Sequence, residues 1–207
     1  LRIHSSRRPR DRCWGRRDAG EAASLREISD VPSSRLPGSG SVHVGDDGVA
    51  RIQLDDRPLS VAELDATLGR RLRVEITDSA WERLGPSHAA VTRIAAGPSA
   101  AYGINTGFGH LCRTRIAPDQ VSQLQHNLIV SHAVGVGEPA SDELVRLMLL
   151  LKIAGLLRGV SGVAPETVAC MQRMLEHDIL PVIPTQGSLG ASGDLAPLAH
   201  MVLPMLG

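Results

Sequence analysis

The feature that most constrains this chain is a glycine-rich segment, Gly187 to Gly193, because three glycines in seven residues let the backbone fold back on itself. The segment ends in Ala191-Ser192-Gly193. If the nitrogen of Gly193 attacks the carbonyl carbon of Ala191, a five-membered ring closes, and a side chain at Gly193 would hinder both the approach and the dihedrals required. Loss of two waters, one from the ring and one from the Ser192 side chain, leaves a conjugated methylidene. No ordinary side chain is an electrophile, so this segment predicts chemistry otherwise left to a cofactor.

Three other interpretations of the segment are weighed against this one. It lacks the Gly-x-x-x-x-Gly-Lys-Ser/Thr pattern of a phosphate-binding loop, and the only lysine is Lys152. It also departs from the hydrolase pattern Gly-x-Ser-x-Gly, because Asp194 stands where the last glycine belongs. The third is a plain loop in which Ser192 or Asp194 caps a helix beginning at Leu195. The tripeptide alone leaves this third interpretation open.

Three longer motifs decide in favour of the reactive segment. The stretch from Gly187 to His200 resembles the signature of the aromatic amino acid ammonia-lyases. The stretch from Tyr102 to Gly109, Tyr-Gly-Ile-Asn-Thr-Gly-Phe-Gly, resembles the tyrosine loop of that family, and Ser131 to Pro139 resembles its selectivity helix. Three long motifs in the correct order are far more specific than one short pattern. The resemblance runs from about Ile52 to the end of the chain.

The resemblance implies roles for individual residues. Ala191, Ser192 and Gly193 would form 4-methylidene-imidazol-5-one autocatalytically, without an external cofactor or a metal. Tyr102, the only tyrosine, would be an active-site phenol that transfers a proton or orients the substrate. Asn105 and Phe108 would shape its loop. Asp194 would hold the backbone during cyclisation or cap the following helix, and the two roles are compatible.

The substrate is inferred from the pair Ser131-His132. Phenylalanine-type members of the family usually carry Phe-Leu at this place, tyrosine-type members carry His-Leu, and histidine-type members carry Ser-His. His132 can donate or accept a hydrogen bond, as an imidazole substrate requires. The expected reaction therefore converts L-histidine to trans-urocanate and ammonia. The alternatives are a tyrosine or phenylalanine ammonia-lyase or aminomutase, and a non-enzymatic helical module with an ordinary glycine loop.

The expected fold is mainly α, an ammonia-lyase-like helical bundle with small β elements near the N-terminus. Strands are predicted at 49–54 and 71–76. Helices are predicted to begin near Ser60, Thr77, Pro118, Ser141 and Pro165, the second of them interrupted at Gly85-Pro86. Residues 1–48 are expected to be a disordered or unrelated arginine-rich extension, and residues 49–207 the N-terminal part of the catalytic domain. Full members of the family are more than twice as long and form homotetramers, so we expect this portion alone to be inactive.

Composition limits the possible partners and compartments. The 22 basic and 22 acidic residues balance, which argues against nucleic acid as a partner. The longest apolar run, residues 147–157, is too short to span a membrane. Three widely spaced cysteines suggest neither a disulfide framework nor a metal site, and a reducing cytoplasm is the simplest setting. His126 and His132 fall on different helical faces and predict no metal site, while His110, His177 and His200 are expected to be structural.

Overall fold

The computed structural model describes residues 42–55 and 57–206. It divides the chain into two units, Leu1–Ser39 and Gly40–Gly207, and the described residues belong to the second. The prediction of a disordered extension falls, for residues 1–41, outside the described part. For residues 42–48, disorder is contradicted at His43 and Val44, which pair with Arg51 and Ala50, while the alternative of an unrelated extension stays a prediction. These two pairs make residues 43–44 part of the folded unit.

A small three-stranded sheet opens the described part of the chain. Strand β1 (His43–Val44) lies antiparallel to β2 (Ala50–Leu54), and β2 lies parallel to β3 (Leu72–Ile76). Helix α1 (Val61–Thr67) makes the crossover between the two parallel strands. Its N-cap is Ser60, whose hydroxyl accepts a hydrogen bond from the backbone of Glu63, while the Glu63 carboxylate accepts from the backbone of Ser60. Both predicted strands and the predicted helix start are confirmed.

Helix α2 (Asp78–Ala96) differs from the prediction, because it runs through Pro86 without a break. Proline in a helix interior removes one backbone hydrogen bond and costs roughly 3 kcal/mol. Contacts outside the helix offset that cost: Leu84 is completely buried, and Nδ1 of His88 lies 3.2 Å from the carbonyl oxygen of Gly162. Packing against the rest of the chain therefore outweighs the local effect of the proline.

The rest of the described chain is mostly helical, as predicted. It contains α3 (Val121–His132), β4 (Val136–Pro139), α4 (Asp142–Leu156), α5 (Pro165–Glu176), β5 (Pro184–Gln186) and α6 (Leu195–Val202), with short 3-10 turns between some of them. Strands β4 and β5 pair antiparallel in a separate two-stranded sheet. None of the described helices combines the length and the apolar character needed to cross a membrane.

One hydrophobic core joins the first sheet to the helices that follow it. It is built from the inward faces of β2, β3, α2, α4 and α5, and its largest fully buried side chains include Ile52, Leu72, Leu84, Leu149, Leu150, Ile153, Leu157, Met171 and Leu175. Burying one such side chain contributes about 1.5–3 kcal/mol. The core thus holds α4 and α5 rigidly, and these helices carry β4 and β5 at their ends.

Candidate active site

The glycine-rich segment forms a tight, exposed turn directly before α6. Residues Gly190–Ser192 make a 3-10 turn, and Gly193 follows in the left-handed conformation at φ +90°. A Cβ placed on Gly193 would meet no atom within 4 Å, so in this structure the dihedral rather than crowding accounts for glycine at this position. The Ser192 hydroxyl donates to the carbonyl oxygen of Leu189 at 2.8 Å.

Asp194 is the N-cap residue of α6 by position but not by hydrogen bonding. Its backbone is left-handed, at φ 56°, and its side chain makes no capping hydrogen bond. Instead, one carboxylate oxygen accepts a hydrogen bond from the hydroxyl of Ser188 at 2.5 Å. Of the two roles expected for Asp194, the geometry favours holding the loop.

The tyrosine loop is organised around the buried side chain of Asn105. Its Oδ1 accepts a hydrogen bond from the backbone N–H of Ala101 at 2.7 Å, and its Nδ2 donates to the carbonyl oxygens of Ile94 and Ser99 at 3.2 and 3.0 Å. Asn105 is 0 % exposed, so these bonds satisfy polar groups that are shielded from water. This one side chain therefore joins the end of α2 to the loop.

Tyr102 lies on the outer surface of that loop. Its side chain is 66 % exposed, and its ring meets the ring of Phe108 edge-on, with 5.7 Å between the ring centres. The contact orients the phenol without burying it.

The pair Ser131-His132 lies at the C-terminal end of α3. Nδ1 of His132 lies 2.7 Å from the carbonyl oxygen of Leu128, and the hydroxyl of Ser131 donates to the same oxygen at 3.0 Å. Because a carbonyl only accepts, Nδ1 of His132 carries the proton, and in the neutral ring Nε2 is left as an acceptor. The predicted selectivity helix is only partly helical. It ends at His132, and residues 136–139 form strand β4 instead.

Two features bring the Ser131-His132 segment against the glycine-rich segment. The antiparallel pairing of β4 with β5 places Val136 opposite Gln186, directly before Gly187. The backbone N–H of Gly135 donates to Nε2 of His200 at 3.0 Å, which ties the same segment to α6. His200 was expected to be structural, and its sequence context gave no sign of this partner, which lies 65 positions away.

An open cleft of about 430 Å³ lies beside the turn, between α4 and α6. It is lined by Met148, Leu151, Lys152, Ser188, Gly193, Asp194, Pro197, Leu198 and Met201. Tyr102, Ser131 and His132 do not line it. Within the described residues, the structure thus brings the Ser131-His132 segment close to α6 and leaves Tyr102 outside this cleft.

An ion pair between Arg146 and Asp178 supports the scaffold around the site. The guanidinium of Arg146 binds both carboxylate oxygens of Asp178 at 2.7 and 3.1 Å and lowers the pKa of that carboxyl, which ties α4 to the turn after α5. Asp178 itself has a left-handed backbone, at φ 57°.

No group of three His, Cys, Asp or Glu side chains in the described ranges is arranged to hold a metal ion.

Comparison with known proteins identifies the family to which this chain belongs. A family model described as aromatic amino acid lyase matches residues 59–207. Histidine ammonia-lyase from Pseudomonas fluorescens is 46 % identical over 159 residues, which cover 77 % of this chain and 31 % of that protein. The chain therefore spans about a third of the length of this relative.

Two solved structures share the fold. Histidine ammonia-lyase from Trypanosoma cruzi is 39 % identical, with a TM-score of 0.67 over 76 % of this chain and 30 % of that one. The ergothioneine-degrading enzyme ergothionase from Treponema denticola is 30 % identical, with a TM-score of 0.72 over 76 % of this chain and 31 % of that one. The predicted ammonia-lyase-like, mainly helical fold is confirmed.

Proposed function

Because the chain belongs to the aromatic amino acid lyase family, we propose that the protein containing it eliminates ammonia from L-histidine to give trans-urocanate. The observation that carries the choice of substrate is the pair Ser131-His132, together with the 46 % identity to histidine ammonia-lyase from Pseudomonas fluorescens. Carbon–nitrogen lyase chemistry follows from the family, and histidine as the substrate follows from this pair.

The glycine-rich turn fits the prosthetic group that this reaction needs. Gly193 is left-handed with open space where a Cβ would be, and Ser192 is exposed with its hydroxyl on the turn. Ala191, Ser192 and Gly193 would form the methylidene-imidazolone, whose chemistry is that of an electrophile that activates the substrate toward loss of ammonia. Asp194, held by Ser188, keeps the backbone of the turn in place.

His132 binds the substrate, and Tyr102 accepts a proton from it. Nδ1 of His132 donates to Leu128, so Nε2 of the neutral ring accepts a hydrogen bond from an imidazole N–H of the substrate. A phenylalanine ring offers no such donor, which would give His132 a preference for histidine over phenylalanine. The phenolate oxygen of Tyr102 takes the β-proton of the substrate and becomes the phenol, and Asn105 fixes the loop that presents it.

Exposed apolar side chains on these same segments support burial of this surface in the assembly that we propose, a homotetramer of the full-length protein. Val134, Val136 and Leu189 are each more than 60 % exposed. Apolar groups clustered on segments that carry a site are typical of surfaces covered by other parts of an assembly. Coverage by neighbouring subunits would also exclude water from the reacting groups.

The test is an assay of the full-length protein that carries residues 1–207 with L-histidine, L-tyrosine and L-phenylalanine. We expect urocanate from histidine and little product from the other two amino acids. Replacing Ser131-His132 by Phe-Leu should lower kcat/KM for histidine by at least about 100-fold, since losing a required hydrogen-bond partner is strongly discriminating. Higher kcat/KM for tyrosine or phenylalanine than for histidine in the unmodified protein would favour the related lyases or aminomutases. An intact mass with no missing water would contradict the enzyme assignment.

A further inference from the structure

We propose that His200 is a positioning residue that holds the substrate-binding segment against the reactive turn. The inference rests on the proposed function, because it concerns how the Ser131-His132 segment and the Ala191-Ser192-Gly193 turn keep their relative positions. It follows from a single hydrogen bond and from the close packing around it.

The hydrogen bond joins two parts of the chain that carry different roles. Gly135 lies three residues after His132, and its backbone N–H donates to Nε2 of His200 at 3.0 Å. His200 lies in α6, which begins directly after the turn and Asp194. A backbone N–H can only donate, so Nε2 must be unprotonated and the neutral His200 ring carries its proton on Nδ1.

The packing around this bond is tight at Gly135, so a side chain there would push its neighbours aside. A Cβ there would lie 3.1 Å from Nε2 of His200 and 3.2 Å from Cβ of Pro184. On the other side, a Cβ on Gly187 would lie 3.1 Å from the Cα of Gly135. The backbones before the turn and after His132 therefore cross in direct contact, and His200 fixes their crossing point.

The position of this contact determines its effect on the reaction. His200 itself lines neither the turn nor the cleft beside Gly193, so it acts through the backbone of Gly135. Releasing that backbone lets the end of α3 move relative to α6, and the substrate then loses alignment between His132 and the turn. A group that acts in this way changes substrate binding more than the chemical step.

Three substitutions at position 200 in the full-length protein separate positioning from general stability. Glutamine places its amide oxygen near the position of Nε2 and can accept from Gly135. Asparagine keeps the polarity but is too short, and alanine has no acceptor. We expect His200→Ala and His200→Asn to raise KM for histidine by about 3- to 10-fold, the range of one net hydrogen bond, with kcat changed less. His200→Gln should stay within about 2-fold of the unmodified protein. His177→Ala, at an exposed site after α5, is the matched control and should leave both constants unchanged.

A second measurement does not depend on turnover. Amide hydrogen exchange at Gly135 should be slow in the unmodified protein and in His200→Gln, and faster in His200→Ala and His200→Asn. Equal KM for alanine and glutamine variants, or unchanged exchange at Gly135 in the alanine variant, would overturn the inference. If the unmodified protein does not act on histidine, the proposed function fails, and the exchange at Gly135 still decides whether His200 holds this segment.

Discussion

The hydroxyl of Ser188 donates to the carboxylate of Asp194 across 2.5 Å and thereby closes the loop that carries Ala191-Ser192-Gly193. The two residues stand on either side of the turn, and Asp194 adopts a left-handed backbone that a non-glycine residue rarely takes. The side chain of Asp194 is thus used to hold the turn rather than to cap α6.

Ser192→Ala should abolish turnover in the full-length protein, because alanine has no hydroxyl to eliminate and the methylidene cannot form. Intact mass spectrometry checks this: the unmodified protein should lack two waters relative to its encoded sequence, and the variant should retain at least one of them. Ser188→Ala is the matched control, since it removes a nearby hydroxyl but leaves the reacting one. This variant should still contain molecules that lack two waters, although in a smaller fraction than the unmodified protein. Normal turnover in Ser192→Ala would contradict the mechanism.

Asn105→Ala should lower the free energy of unfolding by roughly 1–3 kcal/mol, because it removes the three hydrogen bonds that a fully buried side chain makes to the backbone. Denaturant unfolding measures the loss. Asn127→Ala is the control, since Asn127 accepts one hydrogen bond on an exposed helix face and its removal should cost less than about 0.5 kcal/mol. Equal losses for the two variants would refute the role given to Asn105.

Acid should weaken the fold through Glu63. The guanidinium of Arg57 binds both of its carboxylate oxygens at 2.7 and 3.0 Å and lowers the pKa of Glu63 from 4.5 to about 2. Because the folded pKa is depressed, the stabilisation is complete above pH 4.5 and is lost as the pH falls toward 2. Its size is on the order of 3 kcal/mol.

Unfolding free energies measured from pH 6 down to pH 2 test this expectation. The unmodified protein should lose stability more steeply below pH 4.5 than Glu63→Gln, which keeps the cap and removes the charge. Glu82→Gln, at an exposed site on α2, should follow the unmodified curve. Parallel curves for the unmodified protein and Glu63→Gln would count against the ion pair.

Two glycine substitutions should have opposite effects on stability. Gly155 lies inside α4 with open space for a Cβ, so Gly155→Ala should stabilise the fold by about 0.5–1 kcal/mol. Gly159 is left-handed, at φ +70°, and a Cβ there would clash with the carbonyl oxygen of Arg83. Gly159→Ala should therefore destabilise, and thermal unfolding of both variants should show melting temperatures that move in opposite directions.

Local sequence patterns predicted the strands and the helix starts, because these depend mainly on neighbouring residues. Alternation of apolar residues marked β2 and β3, and Ser60, Thr77 and Ser141 each cap a helix at the predicted place. The error at Pro86 has a physical cause, since burial of Leu84 and the contact of His88 with Gly162 are invisible to local propensity.

Long-range contacts were not predicted either, because local sequence patterns carry no information about distant partners. Arg146 and Asp178 are 32 positions apart, and Gly135 and His200 are 65 apart. The candidate residues themselves were identified from motifs. Which distant segments pack against one another was not. In particular, the strand that follows His132 pairs with β5, just before Gly187, and no periodicity in the sequence links the two.

The pairing of β4 with β5 also sets when the candidate site can assemble during folding. Helices α4 and α5 lie between the two strands along the chain, so their hairpin must dock before the strand ends can meet. Contacts between distant residues pay the entropy of closing the intervening loop and form late. If Ala191-Ser192-Gly193 cyclises as proposed, the tripeptide would reach its final geometry only after the core is built, and self-modification would wait until the polypeptide is folded.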